Sequence, residues 1–323
     1  MPAVLEVEPL DASFGAHVRG VELRAIDDET FDALHSAWLE HALLIFEGQF
    51  LTRDEQDAFA RRFGRLEFPA AAISNVGKSG RIHTEDDDLV RSLRGNEGWH
   101  HDSTYMPLQA KGAVFTAEVV PAAGAATGWA DMRAAYDALD ATTQERLASL
   151  SAHHSLLYSQ GRSGNLPTRN DSGGYDMYGY HDGEPSLRPL VKVHPDTGRP
   201  NLLIGRHAYG IVGLGEKESE ALLDRLNDEA CRPPRVHHHQ WTPGEAVVWD
   251  NRRLMHRGTP FDMTEPRIMW HTRIAGEPGS ELADNYSPDD LTTTERPDPE
   301  LSGSAVIGVP EPEPAGTCCK LSP

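Results

Sequence analysis

Apolar and polar residues alternate through residues 4–23, around Gly15 and Gly20, which is the pattern of a short hairpin. The period then lengthens. Phe31, Leu34, Trp38 and Leu39 fall on one helical face, and Asp27 and Asp28 supply N-cap chemistry ahead of them. The apolar run 42–46 predicts a buried strand, and Thr52 is placed to cap a second helix carrying Phe59 and Phe63. From Trp99 onward short apolar runs predominate, bounded by Pro, Gly, Asp and Asn: residues 114–120, 190–193, 201–204, 236–241, 246–249 and 267–274. Helical spacing returns over 132–150, with a break near Ala141, and over 216–230. No strand–helix–strand rhythm is sustained and no internal repeat is found. The expected architecture is therefore mainly β with flanking helices, of α+β character, around a double-stranded β-helix, a jelly-roll or cupin-like core.

Composition narrows the class. A chain of 323 residues, 38% hydrophobic and 25% charged, can bury a sizeable core. No apolar run approaches the roughly 20 residues that cross a bilayer, and the opening MPAVLEVEPL has neither a basic nor an apolar leader region. A cytoplasmic location without membrane partners is expected. A net charge of −20 argues against sequence-independent nucleic-acid binding, which relies on Lys and Arg neutralising phosphates. Residues 277–323 carry ten Asp or Glu against two Lys or Arg, eight of those twenty negatives. They are expected to form an acidic, Pro-rich, poorly ordered tail behind a domain spanning 1–276. The tail holds Cys318 and Cys319; with Cys231 these make neither paired zinc spacing nor a disulfide framework. The polar stretch between Tyr158 and Ser186 is too long for a connector. Its Gly161, Gly164, Gly173 and Gly174, with Tyr175, Tyr178 and Tyr180, predict a substrate lid.

The chemistry gathers around Trp99-His100-His101-Asp102. On a strand, His100 and Asp102 would share a face. His256 follows 154 positions after Asp102, in VVWDNRRLMHRG. Two imidazoles and one carboxylate on one face of an octahedral ion leave the other face open, as non-haem iron(II) oxygenases require. A lone His-x-Asp among 16 histidines is weak evidence; His153, His154 and His237 to His239 are read as packed or exposed. Arg267, 11 positions beyond His256, heads a strand where a buried guanidinium could clamp a carboxylate bidentately. Thr127 could donate its hydroxyl to the same carboxylate. A dicarboxylate that chelates iron at one end and meets Arg and Thr at the other describes 2-oxoglutarate. Two other classes share parts of this set. A zinc hydrolase would use the same three ligands with water but gives Arg267 and Thr127 no task. A catalytically inactive jelly-roll binding protein would leave the metal ligands idle.

An ordered set of longer motifs spans residues 4–276: LDASFGAHVRGVEL, LIFEGQFLTRDEQDAFARRFGRL, GNEGWHHDSTY, VVPAAGAATGWADMRAAYDAL, VKVHPDTGRPNLLIG, VVWDNRRLMHRGTPFD and RIMWHTRIAGEP. With these the chain resembles the taurine dioxygenase and chlorophenoxyacetate dioxygenase (TauD/TfdA) family of Fe(II)- and 2-oxoglutarate-dependent oxygenases. The resemblance implies Fe(II) at His100, Asp102 and His256, with Thr127 and Arg267 on the distal carboxylate of 2-oxoglutarate. It also implies O₂ as co-substrate and release of succinate and CO₂. Hydroxylation beside a heteroatom would lead on to C–O, C–N or C–S cleavage. Asn96 and Ser103 match substrate-side positions, and His207, in IGRHAYG, matches a histidine that meets a carboxylate substrate in the chlorophenoxyacetate branch. Two departures stand out. His271 occupies the position where the family often has a second arginine, and Ala125-Ala126 replaces the usual Gly-Asp before Thr127. The first counts against sulfonate recognition of the taurine type. Residues 267, 269, 271 and 273 share a strand face by period two, so Arg273 would supply a cation one pair further along, unless it is a strand-end surface residue. With His207 and His271 it would gather positive charge for a small anionic substrate. Asp102 fills the position a halogenase leaves empty. A homo-oligomer is compatible with all of this.

Overall fold

A computed structural model describes residues 5–292, apart from 85, 86, 172, 173, 176 and 182. The chain opens with β1 (Glu6–Pro9) and β2 (Ala16–Arg19), then α1 (Asp28–His41), β3 (Leu43–Phe46), α2 (Arg53–Arg61), β4 (Leu66–Ser74) and α3 (Asp88–Gly95). Next come β5 (Ala110–Val119), β6 (Thr127–Asp131), α4 (Met132–Asp137), α5 (Ala141–Leu147), β7 (Ser151–His154) and α6 (Leu156–Arg162). The short strands β8 (Ser186–Pro189), β9 (Val191–Val193), β10 (Pro200–Leu202) and β11 (Ala208–Tyr209) lead to α7 (Glu216–Ala230). The last strands are β12 (Val236–His239), β13 (Ala246–Asp250), β14 (Leu254–Gly258) and β15 (Ile268–Ala275), followed by α8 (Pro278–Glu281).

Helix ends form where the polar residues predict them. Asp27 accepts the Thr30 N–H at the start of α1. Thr52 and Glu55 close a capping box on α2, a device worth about 1 kcal/mol. The helical stretch 132–150 does break, and Asp140 caps α5.

Seven strands form the larger sheet in the order β1-β2-β3-β13-β5-β15-β4, antiparallel except where β2 lies beside β3. Period two divides its strands between two cores. Leu43, Ile45, Ala113, Phe115, Val247 and Trp249 point to one face. Leu44, Phe46, Val114 and Val248 point to the other, under Phe31, Leu34, Trp38 and Phe59 of α1 and α2. The first face meets a smaller sheet, β12-β6-β14: Trp129 and Leu254 pack with Phe115, Trp249 and Met269. Two facing sheets make the jelly roll. Behind the smaller sheet, Leu222, Leu223 and Leu226 of α7 cover Ala130, Met132 and Met255.

The expected tail begins at residue 277, and its described part packs on the body. Glu281 is 1% exposed, the Ala283 N–H donates to the Pro107 carbonyl at 2.9 Å, and Lys192 pairs with the Glu281 carboxylate. Arg188, fully buried, donates to the carbonyls of Thr104, Met106, Pro107 and Glu281. Residues 293–323, with Cys318 and Cys319, and the lid glycine Gly173 lie outside the described residues. No helix among the described residues is long and apolar enough to cross a membrane.

Candidate active site

One cleft collects side chains from both sheets; its empty space, open mouth included, is about 1010 Å³. His100 and His256 are joined by backbone: each N–H donates to the other's carbonyl, at 3.0 and 2.8 Å. This bridge sets their rings 4.3 Å apart, centre to centre. Gly205 makes the approach possible. With φ at +113°, its missing Cβ would lie 2.9 Å from the Trp99 carbonyl and 3.3 Å from the His100 Cα, so a side chain does not fit.

Asp102 reaches the same place by a different route from the one expected. Residues 99–102 are not a strand; the single bridge at His100 runs into a turn. The turn is clamped by Asn251, whose Oδ1 accepts the Asp102 N–H at 2.8 Å and whose Nδ2 donates to the Asp102 and Ala110 carbonyls at 3.0 and 2.9 Å. Asp102 Oδ1 accepts from Arg273 at 2.7 Å. Its Oδ2 has no hydrogen-bond partner and lies 3.7 Å from His256 Nε2 and 3.4 Å from His271 Nε2.

Burial alone would raise the Asp102 carboxyl, but Arg273, with His256 and His271, holds it well below the usual carboxylate range. Burial depresses both partner histidines, His256 to about 4 and His100 well below its ordinary value. The site is thus one carboxylate and two neutral imidazoles. His100 Nδ1–H donates to the Gly98 carbonyl at 2.7 Å, leaving Nε2 its lone pair. One donor atom from each of His100, Asp102 and His256 lies within 4.8 Å of the others, the only such group among the described residues. A buried carboxylate oxygen without a hydrogen bond is costly unless a cation meets it, so the donor set fits a metal ion. His101 turns away, hydrogen-bonded through Nδ1 to the Asn251 carbonyl. His154 is buried, and His239 pairs with Glu245.

Arg267 lines the same cleft, buried. Its guanidinium stacks near Phe115 and Phe261 and no carboxylate pairs with it among the described residues. Burial alone lowers its pKa, to about 10. Asn75 anchors it, accepting the Arg267 N–H at 2.8 Å. Thr127 also lines the cleft, and its Oγ1 accepts the Trp241 indole N–H at 2.9 Å. Neither Trp241 nor Asn75 carries a signal in the sequence that points here.

Of the ten residues singled out from the sequence, nine line the cleft; Ser103 does not. Its hydroxyl accepts from Arg273 at 3.0 Å and donates to Glu67 at 2.8 Å. Asn96 lines the cleft from the end of α3. The histidines anticipated as positive are neutral, because burial lowers both His207 and His271. His207 Nδ1 meets the Ser159 hydroxyl at 2.8 Å, whose proton is directed to the Leu156 carbonyl. Arg273 is buried and paired with Asp102, not a strand-end surface residue.

The profile of the family described as "Taurine catabolism dioxygenase TauD, TfdA family" matches residues 6–273. An (S)-phenoxypropionate/alpha-ketoglutarate-dioxygenase from Sphingobium herbicidovorans is 59% identical over 285 residues, covering 88% of this chain and 99% of the relative. An alpha-ketoglutarate-dependent 2,4-dichlorophenoxyacetate dioxygenase from Cupriavidus pinatubonensis is 34% identical over 275 residues, 80% of this chain and 93% of its own. Among solved structures, AAD-2 in complex with Mn(II) and N-oxalylglycine superposes with a TM-score of 0.80 at 34% identity, covering 88% of this chain and all of that one. The two histidines joined by a backbone bridge and the aspartate of the adjoining turn, beside a buried arginine, are therefore found in a chain that belongs to the TauD/TfdA family of dioxygenases.

Proposed function

We propose that this chain is an iron(II)- and 2-oxoglutarate-dependent dioxygenase that hydroxylates the ether-bearing carbon of a small 2-aryloxyalkanoate. One observation carries the reading: His100, Asp102 and His256 share a cleft with a buried Arg267 that no acidic side chain neutralises among the described residues. We assign iron(II) to the His–Asp–His group. Arg267 takes the distal carboxylate of 2-oxoglutarate, because a buried cation gains most from a bidentate anion. Thr127, whose oxygen is occupied by the Trp241 N–H, keeps its own proton for the same carboxylate.

Bound there, iron(II) with 2-oxoglutarate and O₂ supplies the oxidation, releasing succinate and CO₂ and placing one oxygen on the substrate as a hydroxyl. On a carbon that already bears an aryl ether oxygen, that hydroxyl makes a hemiacetal or hemiketal. Its C–O bond breaks to release a phenol and leave a 2-oxo acid. The relatives named for phenoxypropionate and dichlorophenoxyacetate support the substrate class. So does the lining: Ile73, Leu93 and Leu156 offer apolar wall for an aryl ring. Arg257, which lines the cleft and pairs with no carboxylate among the described residues, is the cation offered to a substrate carboxylate, since His207 and His271 are neutral.

Anaerobic titration with iron(II) and 2-oxoglutarate should produce the weak visible charge-transfer band of the chelate. In Arg267→Ala the 2-oxoglutarate Kd should rise about 10- to 100-fold, the loss of a charge-assisted hydrogen-bond pair. With 2-phenoxypropionate, succinate and phenol should appear in equal amounts. No band in folded, metal-loaded protein would sink the oxygenase reading. Succinate release with alkyl sulfates or taurine but no aryloxyalkanoate would overturn the substrate alone.

A further inference from the structure

A chain of side-chain hydrogen bonds leads out of the cleft. Arg273 holds Asp102 Oδ1 with one amino group, at 2.7 Å, and Ser103 Oγ with the other, at 3.0 Å. Ser103 donates onward to both oxygens of Glu67, at 2.8 and 3.0 Å. The Glu67 carboxylate in turn accepts the Tyr178 hydroxyl. Phe68 fills the bend of this path: Tyr178 meets its edge at 5.4 Å and Arg273 covers its face at 4.7 Å.

Two further observations mark the path as a built feature. Ser103 adopts φ +54°, a left-handed backbone that non-glycine residues keep only where the surroundings demand it; that conformation accompanies the direction of its hydroxyl, toward Arg273 and Glu67. Tyr178 belongs to the polar segment between α6 and β8, and 43% of its surface is exposed, so the outer end of the path lies on a surface loop and the inner end on an iron ligand.

We propose that Glu67 and Tyr178 are positioning residues, which act through Ser103 and Arg273 to tie the seating of Tyr178 against Glu67 and Phe68 to the orientation of the Asp102 carboxylate. Arg273 held at both amino groups keeps Oδ1 engaged and presents Oδ2 to the metal. Arg273 released from Ser103 is free to pivot, and the ligand with it. The coupling is reciprocal: what steadies the carboxylate also steadies Tyr178. The inference rests on the iron assignment above.

The test uses cobalt(II), whose visible bands report the ligand set without turnover. Glu67→Gln and Ser103→Ala should each weaken Co(II) binding to the apoprotein about tenfold, the scale of a lost partner behind a metal ligand. Combined, they should weaken it no further than either does alone, because both interrupt one path. Co(II) should slow proteolysis of the 163–185 segment in the wild type, and this protection should disappear in Tyr178→Phe, which removes only a hydroxyl. In the iron enzyme, Tyr178→Phe should form severalfold more succinate than oxidised substrate. Wild-type Co(II) affinity in both inner variants, additive losses in the double variant, or protection retained in Tyr178→Phe would each overturn the relay. A wild type that binds no Co(II) would instead overturn the iron assignment.

Discussion

Thr127 has a single hydroxyl proton, and its neighbour decides where that proton goes. Because the Trp241 indole donates to Oγ1 at 2.9 Å, the hydroxyl is free to donate into the cleft. Trp241→Phe removes that direction while keeping an aromatic ring against Phe115 and Trp129. The variant should bind 2-oxoglutarate about three- to tenfold more weakly, the value of one net hydrogen bond, as measured by titration of the metal-loaded protein. At this scale the sequence was partly legible. His100, Asp102, His256 and Arg267 stand out by the His-x-Asp spacing and by the longer motifs in which they lie. Trp241, Glu67 and Asn75 do not, since nothing local marks a partner 114, 36 or 192 positions away. The charge of His207 and His271 was misjudged for a related reason. A motif shows that an imidazole is present, whereas its protonation depends on burial that appears only once the chain has folded.

The turn between β13 and β14 fastens four consecutive residues to four parts of the molecule. Asp250 takes Arg252 and His194, Arg252 reaches Asp196, Arg253 grips Asp131 and the Ser13 and Glu40 carbonyls, and Asn251 clamps the Asp102 peptide groups. Asn251→Ala would leave three buried backbone partners unsatisfied. It should cost about 3 kcal/mol or more, read from the denaturant midpoint, and should weaken metal binding beyond the loss of stability. The elements that sequence periodicity revealed, such as α1, α7 and β13, are those whose apolar stripes run unbroken. The strands it missed include β6 and β14, which carry Thr127 and His256. Those residues break the alternation for the sake of the cleft, so these two strands are hidden by the chemistry they hold.

Over the whole molecule, buried neutral histidines make stability depend on pH in a definite sense. Burial lowers His101 and His256 to about 4 from an ordinary 6.5. Between those values the unfolded chain binds protons that the native protein does not, so stability rises with pH through the window. Acidifying the apoprotein from about pH 6.5 toward 4 should therefore lower its Tm progressively. A Tm that stays level across that range would mean that these rings remain open to solvent.

The clasp formed by Arg188, Glu281 and the turn beyond Asp102 bears on how the protein is made. Asp102 leaves the ribosome 179 residues before Glu281, which at about 5–20 residues per second is roughly 10 to 40 seconds. For the first 154 of those residues His100 and Asp102 exist as a bare chelating pair without His256, and for all of them they lack the segment that steadies their turn. The three donor residues are therefore all present only late in synthesis, and a polypeptide cut before residue 277 would carry all three without the Glu281 end of the clasp on the turn beyond Asp102.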